Sequence, residues 1–328
     1  MKPLFSRRRI ISSLALGATV ALLPLAQAQT APVKSVAVTA IVDHPALDAV
    51  RKGVEDELKA QGWQAGKNLK YQYQSAQGNS ATAGQIARKF IGDKADVIVA
   101  IATPSAQAAV VATSSVPVVF TAVTDPVAAK LVKDAKPSGT NVTGVSDRLP
   151  LAPQIDLMQK IVPGAKRIGM VYSPGEVNST IIVKELKEAL AQRGMSLHEA
   201  AAPRTVDIPS AAKSLIGKID LMYTTTDNNV VSAYESMARL AADAKLPLVA
   251  SDTGSVARGA IAALGMNYYD MGRQTGKIVV RILKGEKPGA IAFEVGRNTT
   301  LEINAKAARE QGVTLSPALL KEGKVVVP

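Results

Sequence analysis

The sequence predicts an α/β protein of two similar lobes, each a parallel sheet flanked by helices. Short apolar runs alternate with longer amphipathic segments, which is the pattern of parallel strands joined by helical crossovers. This pattern starts at residue 34 and starts again at residue 166. The 328 residues are enough for two domains that each bury a core.

The first 28 residues have the layout of an export signal. Four basic residues between positions 2 and 9 precede the mostly apolar residues 10–25, and Ala26-Gln27-Ala28 forms an A-x-A cleavage signal. The alternative is a membrane-anchoring helix, but Gly17 and Pro24 interrupt the roughly 20 apolar residues that a span needs. We therefore expect a signal peptide at 1–28 and a periplasmic protein. The basic stretch also resembles a twin-arginine signal, so the export route stays open.

The next elements alternate regularly between strand and helix. Strands are predicted at 35–41, 69–74, 96–101 and 116–120, and helices at 46–61, 82–93 and 104–112.

The second half repeats the first. KSVAV at 34–38 corresponds to KRIGM at 166–170, and QGW at 61–63 to RGM at 193–195, both displaced by 132 residues. Correspondences with other offsets are Asp96 with Asp220 and Pro117 with Pro247. Two lobes of one topology would produce this order, although two unrelated α/β segments could imitate it.

The composition excludes several classes of function. The chain has no cysteine, so we expect no disulfide, thiolate metal site or lipid-bearing cysteine. The net charge is +12, of which residues 1–28 supply four positive charges and no negative one, leaving +8. The remaining Lys and Arg are scattered and aromatic residues are only 4% of the chain, which argues against a nucleic-acid partner.

Ligands of open parallel sheets bind beyond the carboxyl ends of the strands, so the loops that follow the strands are the candidate site. Six such loops are rich in polar residues, namely 42–45, 102–105, 121–126, 172–179, 224–229 and 251–255. In the loop at 102–105, Thr103 and Pro104 fit a helix start, and the same hydroxyls and free N–H groups could hold a carboxylate.

Three aspartates end strands in these loops, and they could meet at one cleft. Asp125, Asp227 and Asp252 are either caps and turn formers or partners of a ligand ammonium or of sugar hydroxyls.

Enzymatic motifs are missing. The two histidines, His44 and His198, do not have metal-ligand spacing, and residues 144–148 lack the second glycine of a nucleophile elbow. The sequence contains neither a dinucleotide-binding G-x-G-x-x-G nor a phosphate-binding loop. We expect no enzyme, cofactor or metal, while an exported carboxylate-based hydrolase stays an alternative.

Segments along the chain resemble the substrate-binding proteins of ABC transporters, in the family that contains tryptophan- and tyrosine-binding members. The matching stretches are DHPALDAVRKG (43–53), IVAIATPSAQA (98–108), PVVFTAVTDPVAAKLV (117–132), NVTGVSD (141–147), YTTTDNNVVSA (223–233), VASDTGSVARGAIAALGMNYYDMGRQTG (249–276) and ILKGEKP (282–288). The resemblance implies a type I periplasmic-binding fold whose two lobes close on a ligand by hinge motion.

The resemblance also implies how the chain is divided. Three interlobe crossovers are expected near 144–150, 264–268 and 289–293. The N-terminal lobe would comprise 33–147 and 265–291, and the C-terminal lobe 148–264 and 292–328. A helix at 271–284 would return to the first lobe.

Site positions follow from the resemblance and from the polar loops. Thr103 and Ser105 would receive a ligand carboxylate, Asp227 and Asp252 would accept its ammonium, and Asn178 and Asn228 would add hydrogen bonds. His44, Tyr172 and Tyr269 would form the wall of the side-chain pocket, since flat, partly polar rings suit an aromatic ligand. For Tyr269 the alternative is a packing role behind the pocket. The remaining expected ligand-binding residues are Thr124, Asp125 and Thr226.

The expected function is an exported, monomeric receptor that binds an amino acid, best an aromatic one, and presents it to the membrane permease of an ABC importer. Aliphatic amino acids and other small carboxylates stay open, because no residue set demands an indole ring. A ligand sensor with the same fold is a further alternative.

Overall fold

The computed structural model describes Met1 and residues 33–328. Apart from Met1, the signal segment predicted at 1–28 lies outside the described residues. Within the described part of the chain the strands form two sheets, and no helix has both the length and the apolar character needed to cross a membrane.

The first sheet and its helices come mainly from the first half of the chain. In order, the elements are β1 Lys34–Ala40, α1 Pro45–Ala60, β2 Leu69–Ser75, α2 Ser80–Gly92, β3 Val97–Ile101, α3 Thr103–Ala112, β4 Val118–Val123 and β5 Val142–Ser146. All paired strands here are parallel, as predicted, and the structure places them in the order β2-β1-β3-β4-β5. β4 extends three residues beyond its predicted end.

The second sheet follows the same plan. Its elements are α4 Leu151–Ile161, β6 Arg167–Tyr172, α5 Val177–Ala191, β7 Ser196–Ala201, α6 Ile208–Leu215, β8 Leu221–Thr224, α7 Asn228–Ser232, α8 Tyr234–Asp243, β9 Leu248–Ala250 and β10 Ala262–Met266. The strand order β7-β6-β8-β9-β10 reproduces that of the first sheet. The two lobes therefore have one topology.

The last part of the chain supplies both lobes. Its elements are α9 Tyr268–Leu283, β11 Glu294–Val295, β12 Thr299–Asn304, α10 Ala305–Glu310, α11 Pro317–Glu322 and β13 Lys324–Val327. α9 packs against α1, and β11 pairs with β5 at the edge of the first sheet. β12 and β13 extend the second sheet, where β12 is antiparallel to β10.

From residue 33 onward the chain passes between the sheets three times, after β5, after β10 and after β11. The third passage was predicted near 289–293. Because Glu294 and Val295 still pair with Val145 and Ser146 of β5, the chain leaves the first sheet only after Val295.

Equivalent residues of the two halves make equivalent contacts. Asp96 accepts hydrogen bonds from the Ser35 backbone and the Lys34 side chain at the start of β1. Asp220 accepts from the backbone and the guanidinium of Arg167 at the start of β6. The carbonyls of Pro117 and Pro247 each accept a 2.8 Å bond, from Ile98 and Met222. The predicted repeat thus reflects residues that make the same contacts at the starts of equivalent strands in the two lobes.

Candidate functional site

The lobes meet at the carboxyl ends of their parallel strands. Thr124 and Thr226 lie on opposite lobes, and their hydroxyl oxygens are 3.4 Å apart. Val177, the first residue of α5, packs against the core of the first lobe. The loops predicted to form the site therefore face each other in a closed arrangement.

Two small cavities lie between the lobes, and Asp147 and Thr226 belong to the walls of both. Both are narrow in this closed arrangement, with free volumes of only about 20 and 10 Å³. Small-molecule sites are far larger, so a ligand requires the cleft to widen. The larger cavity is lined by Leu149, Leu151, Ile182, Tyr223, Thr225 and Ser251. The smaller cavity is lined by His44, Leu47, Asn228, Val231, Asp252 and Tyr268. Five of the twelve predicted site residues are wall residues, namely His44, Thr124, Thr226, Asn228 and Asp252.

Asp147 is the acidic residue common to both cavities, and the sequence analysis missed it. It follows β5 and is 4% exposed; one carboxylate oxygen accepts a 2.8 Å bond from the Tyr268 hydroxyl. The other oxygen, Oδ1, is buried and has no hydrogen-bond partner within residues 33–328. Burial raises the pKa of Asp147, and the Asp252 charge adds to the effect. A ligand cation would supply the missing partner.

Asp252 lines the smaller cavity and also caps the short turn Thr253–Ser255. Its carboxylate accepts bonds of 3.0 Å from the Ser255 backbone and 2.7 Å from the Ser255 hydroxyl. Burial raises the pKa of this carboxyl, and the bonds from Ser255 oppose the rise. The predicted alternatives of cap and ligand partner are compatible here, since each oxygen can accept a second bond.

Asp227 has a structural role. Its carboxylate caps α7 through the Val230 backbone and accepts three further bonds, from the backbone and hydroxyl of Ser173 and from the hydroxyl of Ser179. These four donors fill the acceptor positions of the carboxylate. Asp227 is fully buried and lines neither cavity. Its hydrogen bonds connect the loop after β6, the start of α5 and the start of α7.

Glu176 is a second buried carboxyl that sequence reasoning missed. Its Oε2 accepts bonds from the side-chain amides of Asn178 (2.9 Å) and Asn228 (2.7 Å) and from the Asn228 backbone (3.1 Å). Both amides thus turn their N–H groups to Glu176. Asn178 Oδ1 is buried without a partner in the described chain, and Asn228 reaches the smaller cavity.

The start of α3 offers hydroxyl donors. Ala102, and not Thr103 as predicted, occupies the N-cap position, with φ of 73°. This left-handed conformation is uncommon for a residue with a side chain. The hydroxyls of Thr103 and Ser105 therefore do not cap the helix. Both are buried, with no partner in the structure from residue 33 onward. Such hydroxyls at a helix N-terminus suit a carboxylate.

His44 lines the smaller cavity at the start of α1. Burial lowers its pKa to about 4, and the charge of Arg258 acts in the same direction. The imidazole is therefore neutral at neutral pH. A neutral ring can contact an aromatic ligand without opposing an ammonium group nearby.

Tyr268, rather than the predicted Tyr269, supplies the second ring of this cavity. Tyr269 lies one position further on α9 and donates its hydroxyl to Asp56 of α1, 3.0 Å away. Tyr172 packs against the core of the second lobe and lies outside both cavity walls.

Asp125 lies at the edge of the cleft and outside both cavities. It caps the turn that follows β4, accepting from the backbone of Val127 and Ala128, and pairs with Arg148 at 2.6 Å. Arg148 also contacts Glu185 of α5 at 2.5 Å. Since Arg148 stands in the first crossover, this ion triad links the lobes.

The described residues contain no group of three or more metal-ligating side chains arranged around a common point. The chemistry of the cleft is that of binding: acceptors at Asp147 and Asp252, donors at α3, and apolar or aromatic surfaces between them.

Comparisons with known proteins identify the family and support the fold. Residues 35–327 match the sequence profile of the family described as ABC transporter substrate binding protein. A tyrosine-binding protein of Clostridioides difficile is 39% identical over 271 residues, which cover 83% of this chain and 79% of that protein.

Two solved structures are similar along most of the chain. A conserved domain protein of Vibrio cholerae is 47% identical with a TM-score of 0.88, and covers 89% of this chain and 99% of its own. A Streptococcus protein solved in complex with L-Trp is 34% identical with a TM-score of 0.86, at the same coverage. These are binding proteins or their structural relatives, and the match spans both lobes. The chain therefore belongs to the family of ABC transporter substrate-binding proteins.

Proposed function

We propose that this chain is the extracytoplasmic receptor of an ABC importer and closes its two lobes around an aromatic amino acid. One observation carries the proposal. Of the twelve buried side-chain atoms that lack a hydrogen-bond partner in the described chain, six belong to the cleft loops. Buried polar atoms are nearly always paired, so such a concentration indicates a ligand surface. The six are His44 Nδ1, Thr103 Oγ1, Ser105 Oγ, Asp147 Oδ1, Asn178 Oδ1 and Thr225 Oγ1.

These atoms match the two charged groups of an amino acid. Hydroxyl donors stand at the start of α3, where a helix N-terminus favours a carboxylate. Asp147, with one free oxygen, and Asp252 suit an ammonium group and form charge-assisted hydrogen bonds with it.

The aromatic part of the proposal rests on the walls and on the relatives. His44, Tyr268 and Leu47 give the smaller cavity ring and aliphatic surfaces, and Leu149 and Ile182 do so in the larger one. One relative is named a tyrosine-binding protein, and another was solved in complex with L-Trp. Both ligands combine an amino-acid head with a flat ring.

Calorimetry on ligand-stripped protein against the twenty amino acids tests the proposal. We expect tight binding of one or a few aromatic amino acids. Asp147→Asn should weaken that binding by about 1.5–3 kcal/mol, the contribution of a hydrogen bond to a charged group. Asparagine still accepts the bond from Tyr268, so the fold should survive.

Asp243→Asn is the matched control, because it makes the same change of net charge at an exposed position. It should leave the affinity unchanged. Absence of heat with every amino acid would exclude an amino-acid receptor, and unchanged affinity of Asp147→Asn would exclude Asp147 as the ammonium acceptor.

The transport role needs a separate measurement. Cells that lack the gene should lose high-affinity uptake of the labelled ligand found by calorimetry. If uptake persists in those cells, the alternative role of a ligand sensor gains support.

A further inference from the structure

We propose that Thr225 determines the side-chain specificity of the site by hydrogen-bonding a ring hydroxyl, so that the preferred ligand is tyrosine and phenylalanine is disfavoured. This inference rests on the proposed function, and it concerns the larger of the two cavities.

The larger cavity has the two-sided character that a phenol ring requires. Leu149, Leu151 and Ile182 give it an apolar side, and Tyr223, Thr225 and Ser251 give it a polar side. Asp147 belongs to its wall as well, so an ammonium held by Asp147 brings the rest of the ligand to this cavity.

Thr225 is the middle one of three successive threonines, and its neighbours are occupied. The Thr224 hydroxyl lies 3.2 Å from the Tyr234 hydroxyl inside the second lobe. The Thr226 hydroxyl lies 3.4 Å from that of Thr124 in the opposite lobe. Thr225 is 5% exposed, and its Oγ1 has no partner within residues 33–328.

Two other polar side chains of that wall, Tyr223 and Gln154, are already directed elsewhere. The Tyr223 hydroxyl donates to Gln154 Oε1 at 3.2 Å, and Gln154 Nε2 donates to the Leu264 carbonyl at 2.9 Å. These two hydrogen bonds fix both side chains against β10. Among the side chains of this wall in the described structure, Thr225 has a fully buried hydroxyl without a partner, so both its donor and its acceptor capacity are unused.

A phenol hydroxyl matches this group, since each partner can donate to and accept from the other. Phenylalanine would fill the apolar side equally well but leave Thr225 buried and unpaired. A site built around such a hydroxyl rejects the analogue that lacks its partner.

The test compares dissociation constants for tyrosine and phenylalanine in four proteins: wild type, Thr225→Val, Thr225→Ser and Thr143→Val. Valine has the shape of threonine without the hydroxyl. We expect Thr225→Val to lose about tenfold in tyrosine affinity and to keep or slightly improve its phenylalanine affinity. Thr225→Ser should keep most of the preference for tyrosine.

Thr143→Val is the matched control, because Thr143 is also buried with an unpaired hydroxyl, four strand residues or roughly 13 Å before Asp147. It should leave both constants unchanged. If wild type binds tyrosine and Thr225→Val binds the two ligands in the wild-type ratio, the role of Thr225 is refuted while the proposed function stands. If wild type binds no amino acid, both are refuted.

Discussion

Glu176 is a single residue whose burial affects the stability of the second lobe. Burial raises its pKa to about 7, and the Asp227 charge adds to the rise, whereas the amides of Asn178 and Asn228 oppose it. The folded protein therefore holds a proton here at pH values where the unfolded chain has lost it. This contribution to stability is full below about pH 4.5 and is lost as the pH rises towards 7. His44, whose pKa is lowered to about 4, contributes with the opposite sign.

Glu176→Gln should remove that dependence. The free energy of unfolding of the variant, relative to wild type, should rise between pH 4.5 and pH 8 by up to roughly 3 kcal/mol. Urea denaturation of the ligand-free proteins at several pH values measures this difference. His44→Gln should show the reverse, losing stability relative to wild type as the pH rises from 4 to 6.5. A difference for Glu176→Gln that does not change with pH would refute the assignment.

Among the elements, α1 and α9 make an unusually close contact. A Cβ atom placed on Gly272 would lie 2.1 Å from the Val50 carbonyl oxygen, and one on Gly53 2.2 Å from the Tyr269 carbonyl oxygen. Both obstacles are backbone atoms, so a small side chain cannot turn away from them. The backbones of the two helices are in direct contact, and this contact decides which face of α9 reaches the cleft.

Gly272→Ala should therefore separate the helices and destabilise the protein by about 1–3 kcal/mol or more, the usual cost of overpacking. Thermal and urea denaturation measure the loss. Gly84→Ala is the matched control, since Gly84 lies inside α2 with only the flexible end of Arg88 nearby. There alanine should be neutral or stabilising by up to about 1 kcal/mol. Equal stability of the two variants would contradict the close contact.

The sequence predicted elements better than it predicted the side chains that line the cavities. Periodicity located the strands and helices of the first lobe to within a few residues, and the repeated Asp and Pro positions revealed the second. Tyr268 and Tyr269 differ by one helical step, and the packing of α9 on α1 decides which of them faces the cavity. Asp227 and Asp147 both follow strands. Only the three-dimensional contacts show that hydroxyls and backbone N–H groups saturate the Asp227 carboxylate, whereas Asp147 has a free oxygen.

On the scale of the whole molecule, the ion triad of Asp125, Arg148 and Glu185 connects the first lobe, the first crossover and the second lobe. If the lobes separate as proposed, these groups move apart, because Asp125 and Glu185 belong to different lobes. The triad is partly exposed, with 36% of the Arg148 side chain accessible, so its contribution is screened by solvent.

Glu185→Gln should weaken the closed state by about 0.5–1 kcal/mol and release the bound ligand about two- to fivefold faster. Stopped-flow dissociation measures this rate. Glu188→Gln, at an exposed position on the same helix, is the control and should release ligand at the wild-type rate. Equal rates for wild type and Glu185→Gln would show that the triad does not influence closure.

The return of α9 and β11 to the first lobe has a consequence for the order in which the protein is made. During synthesis, the edge of β5 stays unpaired and the α1 surface stays uncovered until β11 and α9 have been made. The first lobe is thus completed only when nearly the whole chain is present. Within residues 33–328 neither lobe is formed by one contiguous segment, so simple truncation cannot produce either half of the cleft as a minimal binding domain.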